Sequence, residues 1–246
     1  MLYFPVSSID EIQFCDAIER QGYCIVPGVF EAVSLEPLKS QLSSSRNHQS
    51  VHSRKHKGES FALRNILHFV PEVSEFARQK ELISMVESVL GTGARATKAI
   101  LFDKTSTVNW HLRWHQDLTI SVKEKIDLPD YGPWSLKAGI NHVQPPVEVM
   151  QSILAARVHL DACGADNAAL EVLPGSHSAG KLSEEEINLW KSRGESQLCE
   201  CQVGDVLFMR PLLLHCSGKA RKPDHRRVLH IEYSALDLPG GLEWGG

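Results

Sequence analysis

From residue 95 onward the chain breaks into short apolar runs: "RATKAILFDK", "ILAARVHLDA", "ALEVLP", "GDVLFM", "LLLHCS" and "RRVLHIEYSA". Each is rich in Val, Ile, Leu, Phe or Tyr. Turn signals such as "LPGS", "VGD" and "SGKARKPDH" lie between them, as between strands. One helical stretch, "SEEEINLWKSRG", interrupts the series. Many short strands without a strand–helix–strand alternation predict an antiparallel double sheet or barrel rather than a parallel α/β fold. The sequence shows no internal repeat.

Residues 1–94 read differently, as a mainly helical N-terminal part. "SSIDEIQFCDAIERQGY" offers Ser8 and Glu11 as a capping box and Gly22 as the stop of a first helix. "YCIVPGVF" reads as a short strand, "SLEPLKSQLSS" as a second helix, and "KELISMVESVLG" as a third, closed by Gly91. Residues 43–60 are polar, basic and aperiodic, and read as a solvated loop. A chain of 246 residues suits one domain over 1–246, with its core in 95–236.

Composition excludes several classes. Hydrophobic residues make up 42% and charged ones 23%, enough for a real core. A net charge of −4 lacks the basic surplus that nucleic acid or an anionic membrane calls for. No apolar run approaches the roughly 18 residues of a membrane span. The start, "MLYFPVSSIDEIQF", has no basic region followed by an apolar one, and the six cysteines contain no CxxC pair. Reduced thiols and a cytoplasmic location are expected.

The chemistry begins at "WHQD", residues 114–117. In a strand, residues two apart share a face, so His115 and Asp117 would offer one imidazole and one carboxylate to one ion. Two such residues occur together by chance often enough to mean little alone. His215, however, ends the apolar run "LLLHCS", where a solvent-facing histidine would be out of place. Together the three make a 2-His-1-carboxylate set, which leaves coordination positions open and marks non-haem Fe(II) oxygenases. His111 falls roughly 13 Å from His115 along an extended segment, and is read as a rim group. His177, in the turn "PGSH", is read as a hydrogen-bonding turn residue.

An iron that activates O₂ needs electrons, and the usual source is 2-oxoglutarate. Its far carboxylate suits the bidentate fork of an arginine. Arg226 opens the strand after His215, and Ser217 shares a face with His215. Arg227 competes. Alternation puts Arg226, Val228, His230 and Glu232 on one face, polar enough to line a wet cavity, and Arg227, Leu229, Ile231 and Tyr233 on the other. His230 and Glu232 thereby become candidate substrate contacts. In "AARVHLDA", Arg157, His159 and Asp161 share a face. Arg157 is expected to meet an anionic group in the cavity, with a salt bridge to Asp161 as the alternative.

The pieces "WHQD", "NAALEVLPGSH" and "HCSGKARKPDHRR" resemble, in order and spacing, the phytanoyl-CoA dioxygenase-like family of Fe(II)/2-oxoglutarate-dependent oxygenases. The likeness covers roughly residues 95–236. It implies a double-stranded β-helix (jelly roll, cupin-like) with flanking helices. It implies His115, Asp117 and His215 as iron ligands, and Ser217 with Arg226 as contacts to 2-oxoglutarate. The chain departs from the pattern at Ala168, where a glycine is common. It departs at Arg157, which stands where some relatives have a tryptophan against the cosubstrate. Because Asp117 is present, hydroxylation or a similar oxidation is favoured over halogenation, which uses a vacant ligand position.

A further departure is the long segment 119–150, which follows directly on Asp117. It carries Pro129, Pro133, Pro145 and Pro146, which restrict it, and Trp134, Lys137, His142 and Gln144, which can stack and hydrogen-bond. Long segments inside compact domains are commonly functional. It is read as a lid that closes over the iron and contacts substrate. The function expected is oxidation of a small organic metabolite by Fe(II), 2-oxoglutarate and O₂. Hydroxylation of a protein side chain and a non-catalytic binding module are the alternatives.

Overall fold

The computed structural model describes residues 10–45, 52–56, 59–137, 139–222 and 225–246. Strands β1 (Tyr23–Val26), β2 (His52–His56), β3 (Glu59–Arg64) and β4 (Arg95–Lys104) come first. They are joined in one seven-stranded sheet by β9 (Ile153–His159), β12 (Val206–Met209) and β14 (Arg226–Ser234), in the order β1-β12-β9-β14-β4-β3-β2. A second sheet has the order β11-β10-β13-β5, from β5 (Leu112–His115), β10 (Leu170–Val172), β11 (Gln197–Cys199) and β13 (His215–Ser217). Every pairing is antiparallel. This is the jelly-roll architecture expected.

Helices seal the outer face of the large sheet. They are α1 (Glu11–Gln21), α2 (Glu36–Ser44), α3 (Ile66–Phe69), α4 (Pro71–Phe76) and α5 (Lys80–Leu90). Phe14, Ile18, Leu82 and Val86 from α1 and α5 form one buried cluster with Leu101, Leu154, Val158, Phe208, Leu229, Ile231 and Tyr233 from the strands. Phe14 meets Phe208 edge to face at 5.1 Å. The Tyr233 hydroxyl, buried here, donates to the Ala77 carbonyl at 3.0 Å, so its burial leaves no polar atom unsatisfied.

The helix ends obey local rules. Gly22 takes the left-handed conformation (φ 80°), and its amide donates to the Ile18 carbonyl, closing α1 as expected. The N-cap of α1 is Asp10, which accepts from the Ile12 amide at 3.2 Å; Ser8, the cap expected, lies outside the described residues. Later come α6 (Val147–Gln151) and α7 (Glu184–Arg193). Ser183 and Glu186 cap α7 reciprocally.

One expectation needs correction. Residues 43–60 read as loop, but β2 and the first two residues of β3 fall in that range, and β2 pairs with β3 and β3 with β4; residues 46–51 and 57–58 lie outside the described residues. Strand β2 is an edge strand, and a polar, basic composition is how edge strands avoid pairing with other chains. Segment 119–150, read as a lid, is a packed unit with Thr119, Lys137 and His142 lining the cavity. It forms a third sheet, β6-β8-β7, from β6 (Ile120–Val122), β7 (Trp134–Lys137) and β8 (Ile140–Val143), followed by α6. Ile120, Val122 and Val143 are buried with Leu238, Leu242 and Trp244 from the C-terminal segment. The amide of Gly245 donates to the Ser121 carbonyl, and the Lys123 amide to the Glu243 carbonyl, so residues 243–245 fasten this sheet. No helix among the described residues is long and apolar enough to cross a membrane.

One turn shows how tightly the sheet and the helical layer are joined. Asp205 accepts from the amides of Gly28 (2.8 Å) and Gln202 (2.6 Å). Beside it Gly204 has φ +88°, and a Cβ there would lie 1.9 Å from the Phe30 carbonyl oxygen. Gly204→Ala is therefore expected to lower stability by about 2–5 kcal/mol, combining left-handed backbone strain with overpacking. Urea unfolding measures this, and an unchanged midpoint would show that the turn relaxes freely.

Candidate active site

The "WHQD" segment works by alternation. Trp114 points outward and packs against Leu173, Leu182 and Leu214. His115 ends β5. Asp117 lies just past the strand, its amide donating to the Pro211 carbonyl at 2.9 Å, so the alternation continues beyond the ladder. Gln116, between them, is buried and held by three hydrogen bonds. Its Nε2 donates to the carbonyls of Gly180 (2.8 Å) and Leu212 (2.7 Å), and its Oε1 accepts from the Leu182 amide (2.8 Å). With Gln116 locked on the far side, His115 and Asp117 face the interior together.

Strand β13 lies antiparallel to β5 with His215 directly opposite His115, their ring centroids 4.2 Å apart. The Asp117 carboxylate stands 4.0 Å from His115 Nε2 and 3.7 Å from His215 Nε2. The three donor atoms all lie within 4.8 Å of one another. Backbone carbonyls fix both tautomers. His215 Nδ1 donates to Leu213 (2.8 Å), and His115 Nδ1 to Arg113 (2.8 Å) and His215 (3.0 Å). A carbonyl only accepts, so each Nδ1 carries the proton and each Nε2 offers its lone pair, the arrangement found for metal-bound histidines. Burial pushes the His215 pKa down to about 4, keeping it neutral at physiological pH. Desolvation opposes the charge on Asp117. The neighbouring His215, His230 and His115, with Lys98, outweigh it and hold the carboxyl below its usual range. Two neutral imidazoles and a carboxylate fit one divalent iron with positions left open.

The facing wall comes from the large sheet. A cavity of about 380 Å³ separates the walls. Arg226 is 3% exposed, and its hydrogen-bond acceptors, the Ala168 carbonyl and Ser217 Oγ, are neutral. Its Nε is buried without a partner. Lys104, fully buried, donates to Ser217 Oγ (2.9 Å) and the Gly218 carbonyl (2.6 Å). Burial, with the like charge of Arg226, brings the Lys104 pKa down to about 7. Arg157 faces the same cavity, Nη1 donating to His230 Nδ1 at 3.2 Å, with Nε again unpartnered. Burial, then the charge of Arg226, lowers the Arg157 pKa to about 10, so it stays charged. Because Nδ1 accepts, the proton of His230 sits on Nε2, which donates to Glu232 at 3.3 Å. Glu232 stays ionised despite burial because Lys98 forms an ion pair with it.

Most residues expected at the site are brought together here: His115, Asp117, Lys137, His142, Arg157, His215, Ser217, Arg226, His230 and Glu232 all line the cavity. Arg227 points to the other face, where its guanidinium grips both oxygens of Asp161 at 2.7 Å. That contact also removes Asp161 as a partner for Arg157. Two expected contacts are corrected. Trp134 packs against the apolar cluster under the third sheet, and Gln144 is used through its backbone, bonded to Gly132 and Pro133; neither lines the cavity. In a three-stranded sheet with its own small core, the largest aromatic ring serves that core. His111 is exposed. His177 bonds the Glu19 carbonyl at 3.0 Å and packs under Gly22, a structural part. Ala168 does more than make a turn: at φ 58° it aims its carbonyl at both Arg226 and Ser217. Sequence reading missed Lys98 and Lys104, although strand alternation in "KAILFDK" puts both on one face with Ile100 and Phe102.

Residues 18–228 match the family model described as phytanoyl-CoA dioxygenase (PhyH). A search of curated proteins finds no match. Among solved structures, the chain is similar to AviO1 from Streptomyces viridochromogenes Tue57. The TM-score is 0.66 at 18% identity, covering 95% of this chain and 98% of that one. It is similar to EctD from S. alaskensis, solved with 2-oxoglutarate and 5-hydroxyectoine, at TM-score 0.72, 19% identity, and 93% and 77% coverage. It is also similar to SnoN, an α-ketoglutarate-dependent epimerase from nogalamycin biosynthesis, at TM-score 0.67, 16% identity, and 94% and 90% coverage. At these identities the likeness is one of fold.

Gln116 touches no ligand, yet it fixes the backbone that carries two of them. Gln116→Ala removes three hydrogen bonds and orphans buried backbone groups. It is expected to weaken Co(II) binding about 10- to 100-fold, as loss of a supporting contact at a metal site does. Titration followed by the cobalt visible spectrum checks this, and unchanged affinity would show that β5 alone orients the ligands.

Proposed function

Because the chain belongs to the phytanoyl-CoA dioxygenase family, it is an Fe(II)/2-oxoglutarate-dependent oxygenase acting on small molecules, and we propose how its own residues divide the work. His115, Asp117 and His215 hold the iron. Arg226, with Ser217 and Lys104, holds the far carboxylate of 2-oxoglutarate, and Arg157 faces the cosubstrate from the next strand. The observation that carries this reading is electrostatic. Arg226 and Lys104 are buried around one serine hydroxyl, and their acceptors are neutral oxygens. Buried charges are costly without a counter-charge, and a carboxylate docked between them would supply it.

Bound iron, with 2-oxoglutarate as reductant, supplies the oxidising power for O₂ chemistry, and succinate and CO₂ are released. The protein's part is placement. The two Nε2 atoms and the Asp117 carboxylate converge within 4.8 Å of one another and would hold the metal against the small sheet. Arg226 lies at the opposite end of β14 from Glu232, and Ser217 meets it from the small sheet, so 2-oxoglutarate would extend along the cavity axis toward the triad. Leu112, Phe102 and Trp110 line the cavity beside it and exclude bulk water. We also place the protein in the reducing cytoplasm, a reading supported by its six free cysteines, five of them buried.

Arg226→Met is expected to raise the KM for 2-oxoglutarate at least tenfold, while Arg227→Met lowers stability through loss of the Asp161 contact and leaves that KM alone. The reverse pattern would move the carboxylate site to the other face. His215→Ala should abolish turnover and lower iron content; full activity would rule it out as a ligand.

Lys104 predicts a pH dependence. With a pKa of about 7 it is charged below that pH and neutral above it, and a neighbouring carboxylate favours the charged form. Affinity for 2-oxoglutarate should therefore fall as pH rises from 7 to 9, with proton uptake on binding visible as buffer-dependent heats. Lys104→Met should flatten the profile, and an unchanged slope in that variant would remove Lys104 from the site.

A further inference from the structure

The register of β14 against β4 orders the cavity from end to end. Lys104 lies opposite Arg226, Phe102 opposite Val228, Ile100 opposite His230, and Lys98 opposite Glu232. In the other sheet Ser217 lies opposite Leu112 and His215 opposite His115. One end is therefore the cosubstrate end, around Arg226 and Ser217, and the triad sits part-way along. Asp117 has donor atoms within 4.8 Å of those of His230 and Glu232, so the Glu232 end begins at the metal itself. What lies past the triad is the space left for the molecule to be oxidised.

That space is mostly polar, with Ile100 as its apolar member. Lys98 pairs with Glu232 and donates to the Thr119 carbonyl at 3.4 Å. Lys137 donates to Thr119 Oγ1 at 3.4 Å. His142 is 3% exposed and its ring lines the cavity. Its Nδ1 donates to the Ile140 carbonyl at 3.1 Å, which leaves Nε2 with its lone pair, an acceptor. Burial pushes its pKa down to about 4, so it remains an acceptor at neutral pH. The rest of the apolar lining lies toward the other end: Leu112 by Ser217, Phe102 by Val228, and Trp110 against Lys104 at 5.0 Å. The cavity, about 380 Å³ and shared with 2-oxoglutarate, is also at the small end for ligand sites, roughly 300–1,000 Å³.

We propose that this end binds a small hydrophilic substrate, a hydroxy acid or a sugar-like polyol, and not a fatty acyl thioester. A substrate hydroxyl donates to His142 Nε2 or Glu232, and its oxygens accept from Lys98 and Lys137. An acyl chain there would strip these groups of water and offer nothing in return. The proposal rests on the division of the cavity given above, with iron on the triad and 2-oxoglutarate on Arg226.

The test uses the full chain loaded with Ni(II) and N-oxalylglycine, an inert stand-in for 2-oxoglutarate. A mixture of hydroxy acids (glycerate, gluconate, 3-phosphoglycerate), polyols (glucose, myo-inositol), octanoate and octanoyl-CoA is dialysed against it, and retention is read by mass spectrometry. Retention of a hydroxy acid or a polyol is expected, at least tenfold weaker in His142→Leu and in Lys98→Met; which of the two is retained tells acid from polyol. Retention of octanoate or octanoyl-CoA in preference, or of no polar compound beyond the level of these two variants, overturns the proposal. N-oxalylglycine affinity, measured separately by calorimetry, reads the Arg226 end alone. If wild-type protein fails to bind it, the underlying assignment fails; if it binds and the polar compounds do not, only this inference does. His142→Gln keeps an acceptor and should restore part of the retention, which a merely structural role for the ring would not predict.

Discussion

The inner face of the seven-stranded sheet carries Lys98, Lys104, Arg157, Arg226, His230 and Glu232, and a charged row of this kind is tolerable only because the outer face is sealed. Leu101, Val158, Leu229, Ile231 and Tyr233 occupy alternate positions of the same strands and, with Phe208 of β12, are buried under the helices. The hydrophobic term that holds the fold together is thus collected on one side. The other side is free to be wet and charged. The N-terminal helices contribute nothing to the lining of the cavity, yet without them the central strands would have no apolar partner.

Chemistry is then assembled between the sheets. The small sheet supplies the proposed metal ligands, from β5, the residues just past it and β13, and the large sheet supplies the cations. Each member of the triad is held in place by further hydrogen bonds: His115 and His215 by carbonyls, Asp117 by the locked Gln116 before it and by its own amide. The cations are held less completely. Arg157 and Arg226 each keep an unpartnered Nε in a buried setting, which is where a ligand rather than the protein completes the electrostatics. Arg157, His230, Glu232 and Lys98 form a chain in which each group fixes the next: the arginine sets the imidazole tautomer, and the imidazole and lysine share the carboxylate.

The third sheet adds a wall beyond the metal. Its own small core, with Trp134, Val143 and Trp244, makes it a packed unit rather than a loop. It turns Thr119, Lys137 and His142 toward the cavity.

Period-two patterning determined much of this from sequence. It marked the central strands, it paired His115 with Asp117, and it separated Arg226 from Arg227, because a residue's face in a regular strand follows from its parity alone. The triad was legible because a histidine ending an apolar strand has few structural uses. What patterning could not say is which face of a strand looks inward. Lys98 and Lys104 share a parity with Ile100 and Phe102, and only the helices packed on the opposite face make that parity the wet one. The hairpin β2–β3 is not legible in the same way, because edge strand β2 has the composition of a loop and β3 is anchored by its pairing with distant β4. Trp134 and Gln144 were misplaced for a similar reason: in an insertion with its own core, a side chain's direction depends on what the new sheet packs against. Residue types and their spacing are local and survive in the sequence, whereas the choice of inside and outside is made by long-range contacts that no local pattern records.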